Sequence, residues 1–139
     1  MNNVIFIDDE KHIRQANIQT LELAGMIVQS FETAEEGFSA LDEDWPGVVV
    51  CDIRLPGMDG LEFLVQSRSV DPDLPVILIT GHGDISTAVQ AIRDGAYDFI
   101  EKPYSAERLV KTVQRALEKR MLTLENRNLR KLYKGVNSY

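Results

Sequence analysis

Five short runs of β-branched and aromatic residues recur along the chain, each separated from the next by a stretch of helical periodicity: Val4–Ile7, Ile27–Phe31, Val48–Cys51, Val76–Ile79 and Phe99–Ile100. Few folds accommodate that alternation, because parallel neighbours need a crossover and the crossover is right-handed. The first, third and fourth runs are almost continuously apolar, as in parallel strands covered on both faces. The second carries Gln29 and Ser30 and is expected at a sheet edge. The expected fold is α/β: a doubly wound, five-stranded parallel sheet with five helices.

The intervening stretches carry start and stop signals. His12–Leu23 sets Ile13, Ala16, Ile18 and Leu21 near helical spacing and closes at Gly25. Thr33-Ala34-Glu35-Glu36 is a capping box opening a helix through Leu41. A short third helix, Gly60–Ser67, is stopped by Asp71-Pro72; a fourth spans Ser86–Arg93 before Gly95. Ser105 caps a fifth that meets no stop until Gly135. At about 1.5 Å per residue this helix reaches about 45 Å, more than a compact domain needs. Its distal half is expected to project into solvent or to pair with something.

With 139 residues, 44% hydrophobic and 27% charged, the chain is the size of one globular domain, too apolar for disorder. Its apolar runs fall far short of the roughly twenty residues of a membrane helix, and no basic leader precedes them, so a cytoplasmic chain is expected. Cys51 stands alone, which excludes an internal disulfide, and with only His12 and His82 beside it no zinc-type ligand set exists. The net charge of −7 is unevenly spread: residues 1–104 carry 6 Lys and Arg against 19 Asp and Glu, residues 105–139 carry 9 against 3. An acidic body repels nucleic acid and attracts cations or basic partners.

In such folds the chemistry lies beyond the carboxyl ends of the strands. Here that rim receives Asp8-Asp9-Glu10 after the first strand, Asp52 after the third, Thr80 after the fourth and Glu101-Lys102-Pro103 after the fifth. Crowded carboxylates need a cation to stay ionised, and hard oxygen donors favour Mg²⁺. Taken singly, Asp8 or Asp9 is read as a helix cap, Thr80 as a strand-ending β-former and Lys102 as a solvated charge. Placed together, they form a reactive set. A carboxylate beside Mg²⁺ can attack a phosphoryl group while a hydroxyl and an ammonium absorb charge on its oxygens.

Four segments resemble the receiver domain of two-component response regulators: Phe6-Ile7-Asp8-Asp9-Glu10, Asp52-Ile53-Arg54-Leu55-Pro56-Gly57-Met58-Asp59-Gly60, Thr80-Gly81-His82-Gly83 and Asp98-Phe99-Ile100-Glu101-Lys102-Pro103. The resemblance covers about residues 3–119. It implies the flavodoxin-like, CheY-like strand order 2-1-3-4-5, with Asp52 as phosphoacceptor for a sensor histidine kinase and no enzyme activity beyond its own phosphorylation and dephosphorylation. Asp8 and Asp9 would hold Mg²⁺ with Asp52 and the backbone carbonyl of Arg54, Lys102 would contact the phosphoryl group, and Thr80 and Phe99 would form the switch pair. Phe99 replaces a frequent tyrosine, keeping the ring without its hydroxyl. The Lys102-Pro103 peptide is expected to be cis. Within the family, Thr80–Ile85 and Gly95–Pro103 resemble the nitrogen-regulation class of sigma-54-dependent activators, those of C4-dicarboxylate transport among them. Such proteins continue into an ATPase domain; no GxxxxGK[ST] loop occurs in these 139 residues. The expected division is a receiver over 1–119, a linker or coiled-coil extension over 120–134 and a frayed or vector-derived end over 135–139.

Two other readings are weaker. An aspartyl-phosphate phosphatase of the haloacid dehalogenase type would place a second acid where Arg54 stands. A flavodoxin-like cofactor binder would need a phosphate loop where Asp8-Asp9-Glu10 repels phosphate. Cys51 reads as packing, Trp45 as cover for the core's edge, and His82 as a surface residue. The long helix is expected to make a homodimer: Val110, Leu117, Met121 and Leu124 fall on a heptad seam, with Asn128 at an a position, before Leu129, Leu132 and Val136 shift it by one residue. Leu109, Val113 and Ala116 are expected to pack on the chain's own sheet.

Overall fold

The computed structural model describes residues 2–136, and its elements follow in the order β1 (Asn3–Ile7), α1 (Lys11–Leu23), β2 (Ile27–Phe31), α2 (Ala34–Ser39), β3 (Gly47–Asp52), α3 (Gly60–Val70), β4 (Val76–Thr80), α4 (Ile85–Arg93), β5 (Asp98–Glu101) and α5 (Ala106–Val136). All strand pairs are parallel and the order is β2-β1-β3-β4-β5. The apolar runs mark the three inner strands, and polar Gln29 and Ser30 lie on the edge strand β2, where Ile27 is exposed.

Strand alternation sends successive side chains to opposite faces. Ile5, Ile7, Val49, Cys51 and Leu78 meet Ala34, Phe63, Leu64 and Ala91 from α2, α3 and α4. Val4, Phe6, Val48, Val50, Ile77 and Ile79 meet Leu21, Leu109, Val113 and Ala116 from α1 and α5. Full burial of each large aliphatic or aromatic side chain is worth about 1.5–3 kcal/mol, so these two layers hold the fold. Cys51 is a buried free thiol within one of them, and Trp45 packs at its margin.

The local signals hold with small shifts. Thr33 caps α2 by accepting from the Glu36 amide at 3.2 Å, while Gly25 takes φ +88° after α1. Helix α2 stops at Ser39, short of Leu41, which still reaches the core from the following loop. Helix α3 runs on to Val70, and Asp71 turns extended before Pro72. The Lys102-Pro103 peptide is cis.

Helix α5 departs from expectation. Its first half packs as foreseen and residues 128–134 are exposed as a projecting end requires, but the second half does not reserve its charge for another chain. Arg120 is fully buried and donates to Asp71 Oδ2 at 2.7 Å; Arg127 reaches Asp44, Asp71 and Asp73; Lys131 lies 3.8 Å from Asp44. The basic tail therefore meets the acidic body of its own chain. Leu117, expected on an intersubunit seam, is 5% exposed in the chain's own core, and this corrects its assignment. Met121 and Leu124 are half-buried and Asn128 is exposed. Gly135 and Val136 continue the helix, and the rest of the expected frayed end lies outside the described residues. Among the described residues no helix is long and apolar enough to cross a membrane.

Candidate functional site

The carboxyl ends of β1, β3, β4 and β5 meet at one rim because all four run in the same direction. Register places Ile7 beside Cys51, and Asp52 beside Ile79, so Asp8 and Asp52 emerge at matching heights, with Thr80 one residue beyond. Asp52 is 6% exposed, and its oxygens are held separately: Oδ2 accepts from Lys102 Nζ at 2.8 Å, Oδ1 from the Arg54 amide at 3.0 Å. Beneath it the α3 start is pressed against the strand end. A Cβ on Gly60 would stand 2.6 Å from the Asp52 carbonyl oxygen, so only glycine fits.

Asp8 is 1% exposed and its Oδ1 accepts from the Glu10 amide at 2.8 Å. Burial, with the Asp52 charge adding to it, pushes its carboxyl up to about 6, against the pull of the Glu10 hydrogen bond. Burial alone would lower Lys102, but the hydrogen bond and charge of Asp52 outweigh it, so the ammonium is held above its ordinary range. Two buried oxygens at this rim, Asp8 Oδ2 and Thr80 Oγ1, have no hydrogen-bond partner among the described residues. Unmet buried polar atoms of this kind cost about 1–3 kcal/mol each, so these two leave the rim with hydrogen-bonding capacity that the fold itself does not use; Arg120 Nη1, away from the rim, is unmet as well.

The sequence model of the response regulator receiver domain matches residues 4–114. The chain belongs to that family. Among curated proteins the receiver is 57% identical over 129 residues to the C4-dicarboxylate transport transcriptional regulatory protein DctD of Rhizobium meliloti, and 58% identical over 127 residues to that of Pseudomonas aeruginosa. These alignments cover 93% and 91% of the chain but 28% of each relative, so the receiver spans little more than a quarter of their length. Among solved structures, NtrX from Brucella abortus superimposes with a TM-score of 0.82 at 41% identity, over 91% of this chain and 29% of that one. The response regulator StyR gives 0.89 at 28% identity, over 98% and 69%.

Of the other residues singled out in the sequence, Asp9 is exposed at the rim and the Arg54 side chain points to solvent, 3.7 Å from Asp84. Among the described residues, no group of three or more His, Cys, Asp or Glu side chains is placed so as to hold a metal ion by itself. Thr80 and Phe99 lie on adjacent strands, and because Leu78 pairs with Phe99, alternation places Thr80 on the same sheet face one step toward the rim. That face carries α4, whereas Asp52 continues the other. His82 is exposed and sits 3.3 Å from Glu101.

Two supports of the rim escaped sequence reasoning. Arg14 Nη1 donates to the Asp8 carbonyl at 2.7 Å, tying α1 to the turn that carries both acids. Tyr104 donates to Asn17 at 3.3 Å, closing the same end from α5's side. Helical spacing of Arg14 and Asn17 on the inward side of α1 was the available signal for both.

Proposed function

We propose that this receiver is a phosphorylation-dependent switch in which Asp52 takes a phosphoryl group from the phosphohistidine of a sensor kinase. The observation that carries the reading is the buried Asp52 carboxylate held at 2.8 Å by Lys102 next to two unmet buried oxygens, on Asp8 and Thr80. In the reaction an Asp52 oxygen attacks phosphorus, the P–N bond breaks, the electron pair leaves with the histidine, and an acyl phosphate remains on Asp52. Lys102 stays cationic and neutralises charge on the phosphoryl oxygens. The Thr80 hydroxyl, with no partner among the described residues, is free to donate to one of them. Hard oxygen donors fit Mg²⁺, which Asp8, Asp9, Asp52 and the Arg54 carbonyl would hold; when bound it offsets the phosphoryl charge.

Drawing the Thr80 hydroxyl toward the rim vacates space on the α4 face, where the Phe99 ring can follow. The altered surface would then regulate an attached sigma-54-dependent activator in the cytoplasm, as suits the likeness to DctD, through rearrangement of a homodimer built on α5. Arg54 argues against a phosphatase of the dehalogenase type, since an exposed guanidinium cannot protonate a leaving group. The test is amide NMR with a beryllium fluoride mimic: shifts at Asp8, Asp52, Thr80 and Lys102 that require Mg²⁺ support the reading. Shifts absent with Mg²⁺ present refute it.

A further inference from the structure

At the end of the sheet opposite Asp52, Asp71 closes α3 with 1% of its surface exposed, and its oxygens accept from four sources: Arg120, Arg127 and the amides of Asp44 and Asp73. Burial alone would raise this carboxyl, but the two guanidinium groups hold it far below the usual carboxylate range. Arg127 spans three acids, at 2.7 Å to Asp44, 2.7 Å to Asp71 and 2.8 Å to Asp73, and Arg120 also donates to the Trp45 carbonyl at 3.0 Å. Asp44 takes a left-handed φ of 64°, a conformation tolerated by Asp more readily than by most residues, at the point where its carboxylate meets Arg127.

Arg120 and Arg127 lie seven residues apart, two turns along one side of α5. We propose that Asp44, Asp71 and Asp73 form a built-in guanidinium receptor that docks the extension of α5 on its own domain through residue 131. The extension then belongs to the receiver's folded unit, and whatever follows it leaves in a direction set at the base of the sheet. A free helix of this length would be marginal in water, whereas the bidentate contact of Arg127 with Asp71, with Arg120 a second anchor two turns away, fixes both position and rotation. The inference stands independently of the phosphorylation reading.

Hydrogen exchange on the full chain tests it. Arg127 is partly exposed, so Arg127→Gln should leave the fold intact while amides of residues 124–134 lose at least tenfold in protection. Arg127→Lys should fall between that variant and the parent, since lysine cannot make the bidentate contact. Exposed Arg130→Gln should change protection less than twofold. Amides of β3 report the domain itself and should not move. Unchanged protection of residues 124–134 in Arg127→Gln overturns the proposal, and so does an equal loss in β3, which would make Arg127 a prop of the whole domain.

Discussion

Lys102 and Asp52 meet at 2.8 Å across an intervening strand, for β3 and β5 are both neighbours of β4. The contact draws a cation from the turn after β5 onto a carboxylate that would otherwise be buried uncompensated. Its consequence is that the two reactive groups are preset, while the oxygens of Asp8 and Thr80 beside them are left unmet.

Asp8 makes stability depend on pH. Its carboxyl is raised from 3.8 to about 6 in the fold, so its stabilising contribution is full below pH 3.8 and is lost as pH rises through 6. Asp8→Asn removes that penalty and should raise stability at pH 8 by about 3 kcal/mol, since each tenfold change in proton affinity corresponds to about 1.4 kcal/mol. The gain should shrink toward pH 4. Urea unfolding at the two pH values checks this, and a gain that grows on acidification would contradict it.

Thr80→Val keeps the shape of a fully strand-embedded side chain and removes a hydroxyl that has no partner. The variant should be no less stable than the parent and should still accept phosphate. What it should lose is the response of α4 amides to the phosphoryl mimic. A full response in the variant would remove Thr80 from the relay.

Leu122 and Leu129 follow Arg120 and Arg127 by two residues, about 200° around the helix, so docking of the arginines turns these leucines outward. With Leu132 and Tyr133 they form an exposed apolar face on which a dimer seam would have to lie, now that Leu117 is in the core. The chain should sediment as a dimer at tens of micromolar, and the double variant Leu122→Glu with Leu129→Glu as a monomer. If the parent is already monomeric, the dimer is wrong. Truncation at Glu118 is a poor substitute, because it removes both Arg120 and Arg127 from Asp71 and so disturbs the domain as well as the seam.

The rim was legible because its residues stand one or two positions after an apolar run, and parallel strands bring such positions together without long-range information. The docking of α5 was not. Asp71 lies 49 residues from Arg120 and 56 from Arg127, and no local period links them. One sign was present: Arg120 continues the buried series Leu109, Val113 and Ala116 at helical spacing, so a charge stood on the inward stripe and required an acid opposite. Read only as net charge, the same residues suggested a second chain.

The most direct measurement is intact mass after incubation with a small phosphodonor and Mg²⁺. The parent should gain the mass of one phosphate, lost again on hydrolysis of the acyl phosphate, and Asp52→Asn should gain none. A fully phosphorylated Asp52→Asn protein, or a parent that never gains the phosphate, would contradict the account.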